Sequence, residues 1–187
     1  LNAILNHEKR IVHVLAGAPR AVMQAGIPLS RAVCQVGAAQ RYALVIAAPG
    51  GHPKDINVYQ AQKALYHACR VARPAAQVLL AAACPEGAGS RAYAAWMPGM
   101  TSGAEVLERF AREGFRIGPH KAYQLARDSA RVRLRLLSQM PPELARFLLF
   151  DPIDDWQAAV DRAEAELPAG ERIAILPRAS ATIPYIA

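Results

Sequence analysis

Gln60 and Lys63 are the residues best suited to handle a substrate. They stand three apart in a stretch with helical periodicity, so their side chains are neighbours on one face. An amide and an ammonium side by side suit a 2-hydroxy carboxylate, which offers both a carboxylate and a hydroxyl. Around them, Val58, Ala61, Ala64, Leu65, Ala68 and Cys69 fall on one apolar face at about 100° per residue. Tyr59, Gln60, Lys63, Tyr66 and His67 fall on the other. The bland reading of that second face is a solvated helix surface. Just upstream lies Pro49-Gly50-Gly51-His52-Pro53-Lys54-Asp55. Its paired glycines allow a sharp turn and a close backbone approach to a ligand. Asp55 or Asn57 can cap the helix that follows.

These residues need a scaffold, and the chain alternates strand-like and helix-like segments from Arg41 onward. Strands are expected at Ala43 to Ala48, Gln77 to Ala83, Val132 to Leu137 and Arg172 to Leu176. Helices are expected at Asn57 to Val71, Arg91 to Met97, Ala104 to Arg112, His120 to Ala130, Pro142 to Phe147 and Asp154 to Leu167. Asp154 is the expected cap of the last helix, and Trp156 its inward anchor. This alternation predicts an α/β fold, a parallel sheet of βαβ units with helices on both faces. Right-handed crossovers gather the strand-to-helix loops on one edge, where such sheets bind ligands. Those loops are Pro49 to Asp55, Pro85 to Ser90, Gln139 to Pro142 and Pro177 to Ser180. Residues 1–40 read differently. Leu1 to Leu5 and Arg10 to Leu15 form a hairpin, a remnant of a preceding domain. Ala18 to Gly37 is a helix-leaning connector broken by Pro19, Gly26 and Pro28. The domain division is therefore 1–40, hairpin and connector, and 41–187, the α/β domain.

Composition narrows the function classes. Of 187 residues, 53% are hydrophobic, enough for a buried core. Lys and Arg outnumber Asp and Glu by 22 to 15, giving a net charge of +7. The basic residues are scattered and no aromatic-plus-basic signature accompanies them, which argues against nucleic acid. No apolar run approaches the roughly 18 residues of a membrane span. The three cysteines, Cys34, Cys69 and Cys84, form no CxxC pair. A reducing cytoplasm fits them better than a disulfide or zinc framework. His7 and His13 have no partner at metal-ligand spacing. No signal peptide is expected, and the opening at Leu1 directly in strand-like sequence is read as that of a piece of a longer protein.

The segment GGHPKDINVYQAQKA, Gly50 to Ala64, resembles the GGYPxDxNxYQAxK signature of the carboxyl-terminal domain of nickel-pincer lactate racemases. The resemblance extends from the opening hairpin to the terminal PRASATIP, Pro177 to Pro184. It implies a domain that closes over a larger amino-terminal domain during racemisation or epimerisation of a 2-hydroxy acid, by reversible hydride transfer at C2. The cofactor it implies is a nickel-pincer nucleotide tethered to a lysine of the amino-terminal domain, which also supplies two acid/base histidines. Gln60 and Lys63 match the family's substrate-facing Gln and Lys. Gly50, Gly51, His52, His120 and Lys121 are the further candidates for the substrate pocket. No catalytic residue, no metal ligand and no bound cofactor is expected in this chain alone, which would then have no racemase activity.

Three departures bear on the substrate. His52 stands where the family has Tyr. Cys84-Pro85-Glu86-Gly87-Ala88-Gly89-Ser90 replaces a DGHGG-like loop. Gly118-Pro119-His120-Lys121-Ala122 replaces a DQW-like segment. Losing that Trp and gaining His120 and Lys121 implies a substrate larger or more anionic than lactate. The competing reading is a stand-alone α/β domain that binds a small molecule or nucleotide without catalysis, although neither GxGxxG nor GxxxxGK[ST] occurs at the first strand-to-helix turn. A third is a sensor or structural subunit descended from the same enzymes.

Overall fold

The computed structural model describes all 187 residues. The chain opens with an antiparallel hairpin of β1 (Asn2–Leu5) and β2 (Ile11–Leu15). Then come α1 (Pro19–Cys34), β3 (Gln35–Ala38), β4 (Tyr42–Ala47), α2 (Val58–Val71) and β5 (Ala72–Ala81). The next elements are α3 (Arg91–Trp96), α4 (Gly103–Glu113), α5 (Pro119–Ser129), β6 (Arg133–Leu137), α6 (Pro142–Phe147) and β7 (Asp151–Pro152). The chain finishes with α7 (Trp156–Ala165), β8 (Ala174–Leu176), a 3-10 turn at Ala179–Ala181 and β9 (Ile183–Ile186).

Five strands form one parallel sheet in the order β7-β6-β5-β4-β8. Alternation along the strands divides the core between its two faces. Val45, Ala47, Val78, Leu80 and Leu136 point to the face covered by α2 to α6. Leu44 and Leu79 point to the other face and meet Ala159 and Ala163 of α7. The expected α/β architecture with helices on both faces is thus the observed one, with most of the helical mass on one side.

Several local expectations needed correction. Residues 19–34 form one unbroken helix and not a broken connector. Pro19 occupies its first turn, where the missing N–H has no intrahelical partner to lose. Pro28 lies inside the helix and removes a single ladder bond. Gly26 faces the Leu15 side chain, which an added Cβ would meet at 3.0 Å, so the glycine lets α1 lie close on the hairpin. The last helix is capped by Asp155, whose Oδ1 accepts the Ala158 N–H at 3.0 Å, and not by Asp154. β5 follows α2 with no loop and begins at Ala72 instead of Gln77. The parallel pair of β3 and β9 and the short edge strand β7 were not anticipated.

Candidate functional site

From β4 the chain steps to β5, β6 and β7 in one direction. It then returns through α7 to β8 on the far side of β4. The carboxyl ends of β4 and β8 are therefore a topological switch point, where a crevice opens between diverging loops. The loop after β4 and the turn after β8 meet there. Ala48 and Leu176 are joined by a hydrogen bond of 2.9 Å, and the Ala179 N–H donates to the Ala48 carbonyl at 2.8 Å. Gly50 and Gly51 follow with φ of 108° and 76°. That left-handed backbone turns the chain sharply away from the strand and explains the paired glycines.

The same loop delivers α2 in a fixed pose. The Asn57 Oδ1 accepts the Gln60 N–H at 3.1 Å, and its Nδ2 donates to Glu86 at 3.1 Å. The Val58 and Tyr59 N–H groups donate to the carbonyls of Gly87 and Ala88, at 2.9 and 3.2 Å. The free N–H groups that a helix start normally offers to a phosphate are therefore already used within the protein.

On the first turn, the Lys63 Nζ donates to the Gln60 Oε1 at 2.6 Å. That bond uses one of the two lone pairs of the only side-chain acceptor of the pair. What remains is an amide NH2, the other ammonium hydrogens and one lone pair, a set in which donors predominate. Such a set matches carboxylate oxygens. The apolar face of α2 packs as its periodicity demands, with Val58, Ala61, Ala64, Leu65, Ala68 and Cys69 all buried.

α5 lies beside α2 and contributes the second wall. Pro119 opens the helix, one residue before the expected His120. The His120 Nδ1 accepts the Gly118 N–H at 3.0 Å, and the ring meets Tyr59 edge-on at 5.7 Å. Lys121 is buried, with its Nζ 4.8 Å from the Tyr59 ring centre. It donates to the Gln62 Oε1 at 3.2 Å, and Gln62 donates in turn to Asp128 at 3.0 Å. Burial holds the Lys121 ammonium below the usual lysine range. The nearby Lys63 charge adds to this, and Asp128 opposes it. Burial likewise raises the Asp128 carboxyl, against Arg127, which bonds it at 2.8 Å.

The candidate residues thus separate into groups. Gln60 and Lys63 are bonded to each other, while His120 and Lys121 both rest on Tyr59. Gly50 lies beside Arg178, and Gly51 next to it faces open space. His52 is exposed at the tip of its loop, and its ring joins neither group. The sequence reading did not single out Gln62, Gln124, Arg127, Asp128 or Ser180. One signal was present: Gln62 is a lone polar residue on the apolar side of α2, and a buried amide demands partners.

No cluster of three His, Cys, Asp or Glu side chains is placed to hold a metal ion. No helix is long and apolar enough to cross a membrane. The thiols of Cys69 and Cys84 are pushed up to about 12, first by burial and then by the charges of Asp128 and Asp55. Cys34 is only half-buried and is the most accessible of the three thiols. Since the thiolate is the reactive form, iodoacetamide at pH 8 modifies Cys34 first and leaves Cys69 and Cys84 intact until the protein is denatured. Peptide mass mapping reads this out, and early labelling of Cys69 or Cys84 would contradict it.

Comparison with known proteins gives this geometry a family. The chain is 24% identical over 114 residues to the lactate racemase of Thermoanaerobacterium thermosaccharolyticum, covering 61% of this chain and 26% of that protein. The crystal structure of the lactate racemase apoprotein from the same organism superposes with a TM-score of 0.85 at 21% identity, over 98% of this chain and 45% of that one. A Thermotoga maritima protein solved by structural genomics superposes with a TM-score of 0.64 at 10% identity, over 90% of this chain and 42% of that one. At these identities the two structures speak for the fold. The chain spans about a quarter of the curated relative and under half of either solved chain. The family model described as the lactate racemase C-terminal domain matches residues 38–183, and the chain belongs to that family.

Proposed function

We propose that this chain is the substrate-closing domain of a 2-hydroxy acid racemase or epimerase, with Gln60 and Lys63 holding the substrate carboxylate. The observation that carries the reading is the donor-rich Gln60–Lys63 pair beside the switch-point crevice, on a domain of the lactate racemase family. The amide and ammonium are oriented by their mutual bond before any substrate arrives, so less ordering is needed on binding. Lys121, His120 and Tyr59 form the opposite wall. Gly50 and Gly51 let the backbone run close to the ligand.

The family's nickel-pincer nucleotide would supply the hydride acceptor and donor at substrate C2. The groups present here fit an oxyanion better than nickel, because the protonated amine has no lone pair to give the ion and the amide oxygen, already bonded to it, is a single hard donor. This chain therefore binds and orients the substrate and helps exclude water, while the ligands of the cofactor belong to the amino-terminal domain. That domain is also the proposed partner of the hairpin and α1, where Ile11, Val14, Met23 and Ile27 are exposed. A reducing cytoplasm suits three free thiols.

The stand-alone nucleotide-binding reading has less support, because the start of α2 has no N–H groups left to offer a phosphate.

The test uses the full-length, cofactor-loaded protein and a panel of 2-hydroxy acids deuterated at C2, in ordinary water. The expected result is loss of optical activity with the deuterium retained at C2. Racemisation with deuterium washed out to solvent would replace hydride transfer with proton abstraction. No racemisation of any 2-hydroxy acid would overturn the reading.

A further inference from the structure

We propose that a cleft between α2, α5 and the turn at Ala179–Ala181 holds a second oxyanion of the substrate, a carboxylate or a phosphate, at Lys121 and Arg127. This rests on reading Gln60 and Lys63 as the seat of the first carboxylate. The cleft has a volume of about 430 Å³, within the roughly 300–1,000 Å³ range of small-molecule sites. Such sites are mostly apolar, but here seven of the eight lining residues are polar (8 less 1 hydrophobic), and none is a carboxylate. Lys63, Lys121 and Arg127 bring three cations to its walls, with His67, Gln124 and Ser180 between them.

Charge counting favours a doubly charged ligand. Behind the lining, Asp128 bonds both Arg127 and Gln62, and it is the anion built into this network. Three cations against one carboxylate leave an excess of two. One oxyanion at Lys63 leaves the second excess charge uncompensated, deeper in the cleft, at the buried Lys121. A like-charge cluster with a buried member is costly unless an anion joins it.

Hydrogen-bond counting agrees. The Gln124 Oε1 and the Ser180 Oγ are buried and make no hydrogen bond within the protein. A buried polar atom left unmet costs about 1–3 kcal/mol, and both residues line this cleft. The Ser180 hydroxyl can donate to an oxyanion, and the Gln124 Oε1 can accept from a substrate hydroxyl. The remaining groups are held in place for this. Lys121 is fixed by Gln62, and Arg127 is braced by Asp128 through its Nε and one terminal nitrogen, which leaves the other terminal nitrogen unused by that contact. His67 is tied to the Ala179 carbonyl through Nδ1, which secures the turn that carries Ser180. From Lys121 to Arg127 is about 9 Å along α5 at 1.5 Å per residue. The site can therefore receive a carbon chain longer than that of lactate.

The experiment measures kcat/KM on the full-length, cofactor-loaded protein with lactate, malate, 2-hydroxyglutarate and 3-phosphoglycerate. At least one of the three substrates that carry a second oxyanion is expected to exceed lactate about ten-fold or more. Malate and 2-hydroxyglutarate against 3-phosphoglycerate decide between carboxylate and phosphate. Lys121→Met and Arg127→Gln should each lower kcat/KM for the preferred substrate at least ten times more than for lactate, mainly through KM. Arg127 is far more exposed than the buried Lys121, so its replacement keeps the test valid if Lys121→Met fails to fold. Lactate as the best substrate, or equal losses on all substrates, would overturn the proposal while leaving the racemase reading standing. If no 2-hydroxy acid is racemised, the racemase reading fails and calorimetry with malate and inorganic phosphate decides. Binding weakened ten-fold by Arg127→Gln supports the oxyanion site, and binding unchanged by it, or absent, overturns it.

Discussion

With Gln60 and Lys63 as the proposed seat of the substrate carboxylate, Lys63→Met in the full-length protein is expected to lower kcat/KM for a 2-hydroxy acid about 100-fold, with no loss of thermal stability. A hydrogen bond to a charged group is worth about 1.5–3 kcal/mol, and 100-fold corresponds to about 2.7 kcal/mol at 1.36 kcal/mol per factor of ten. The loss exceeds that of a simple surface charge because Lys63 also orients Gln60. With the ammonium gone, the Gln60 amide is free to rotate and to present its oxygen to the carboxylate. Gln60→Glu should be about as damaging, since it places a carboxylate opposite a carboxylate. Stability is spared because Lys63 is exposed and its only side-chain hydrogen bond is to its neighbour. Steady-state racemisation followed by chiral chromatography, with a melting curve beside it, checks both halves. Activity of Lys63→Met within three-fold of the parent would remove Lys63 from the site.

Gly89→Ala costs about 3 kcal/mol of stability, whereas Gly51→Ala costs about 1 kcal/mol. Both glycines have positive φ, 75° and 76°, so both carry the left-handed backbone penalty of about 1–2 kcal/mol for a residue with a Cβ. They differ in what the new atom meets. At Gly51 nothing lies within 4 Å, but at Gly89 the Cβ would sit 2.1 Å from the Cγ of Asn57. Asn57 is buried and bonded both to Glu86 and to the Gln60 N–H, so it can yield only by giving up the cap of α2. A lost cap adds about 1 kcal/mol, and the Glu86 bond about another. At about 2–4 °C per kcal/mol for a domain of this size, Gly89→Ala melts about 6–12 °C lower. Equal melting temperatures for the two variants would contradict the assignment of Gly89 to the support of this cap.

How much of this was legible in the sequence follows from the range over which each feature is decided. The two faces of α2 are a property of one helix, and all six residues assigned to its apolar face are buried. The Gln60–Lys63 bond is an i, i+3 contact and equally local. The chain from Lys121 through Gln62 to Asp128 depends on how α2 packs against α5, which no periodicity records. β3 and β9 are four-residue strands that pair only with each other, from opposite ends of the chain. Neither carries enough alternation to be recognised alone. Pro28 looked like a breaker because propensity weighs one residue at a time. Here the surrounding turns and the packing on the hairpin outweigh it.

The pairing of β3 with β9 has a mechanical side. The strands are parallel from Gln35↔Ile183 to Ala38↔Ile186, the Ala187 N–H donates to the Ala38 carbonyl at 3.0 Å, and the Arg70 Nε donates to the Pro184 carbonyl at 2.9 Å. Together they form a clasp that binds the way into the α/β body to its way out. A pull along α1 therefore reaches both ends of the body together, since β3 runs on toward β4 and is bonded to β9. Helix passes to strand at the Cys34–Gln35 step with no loop between.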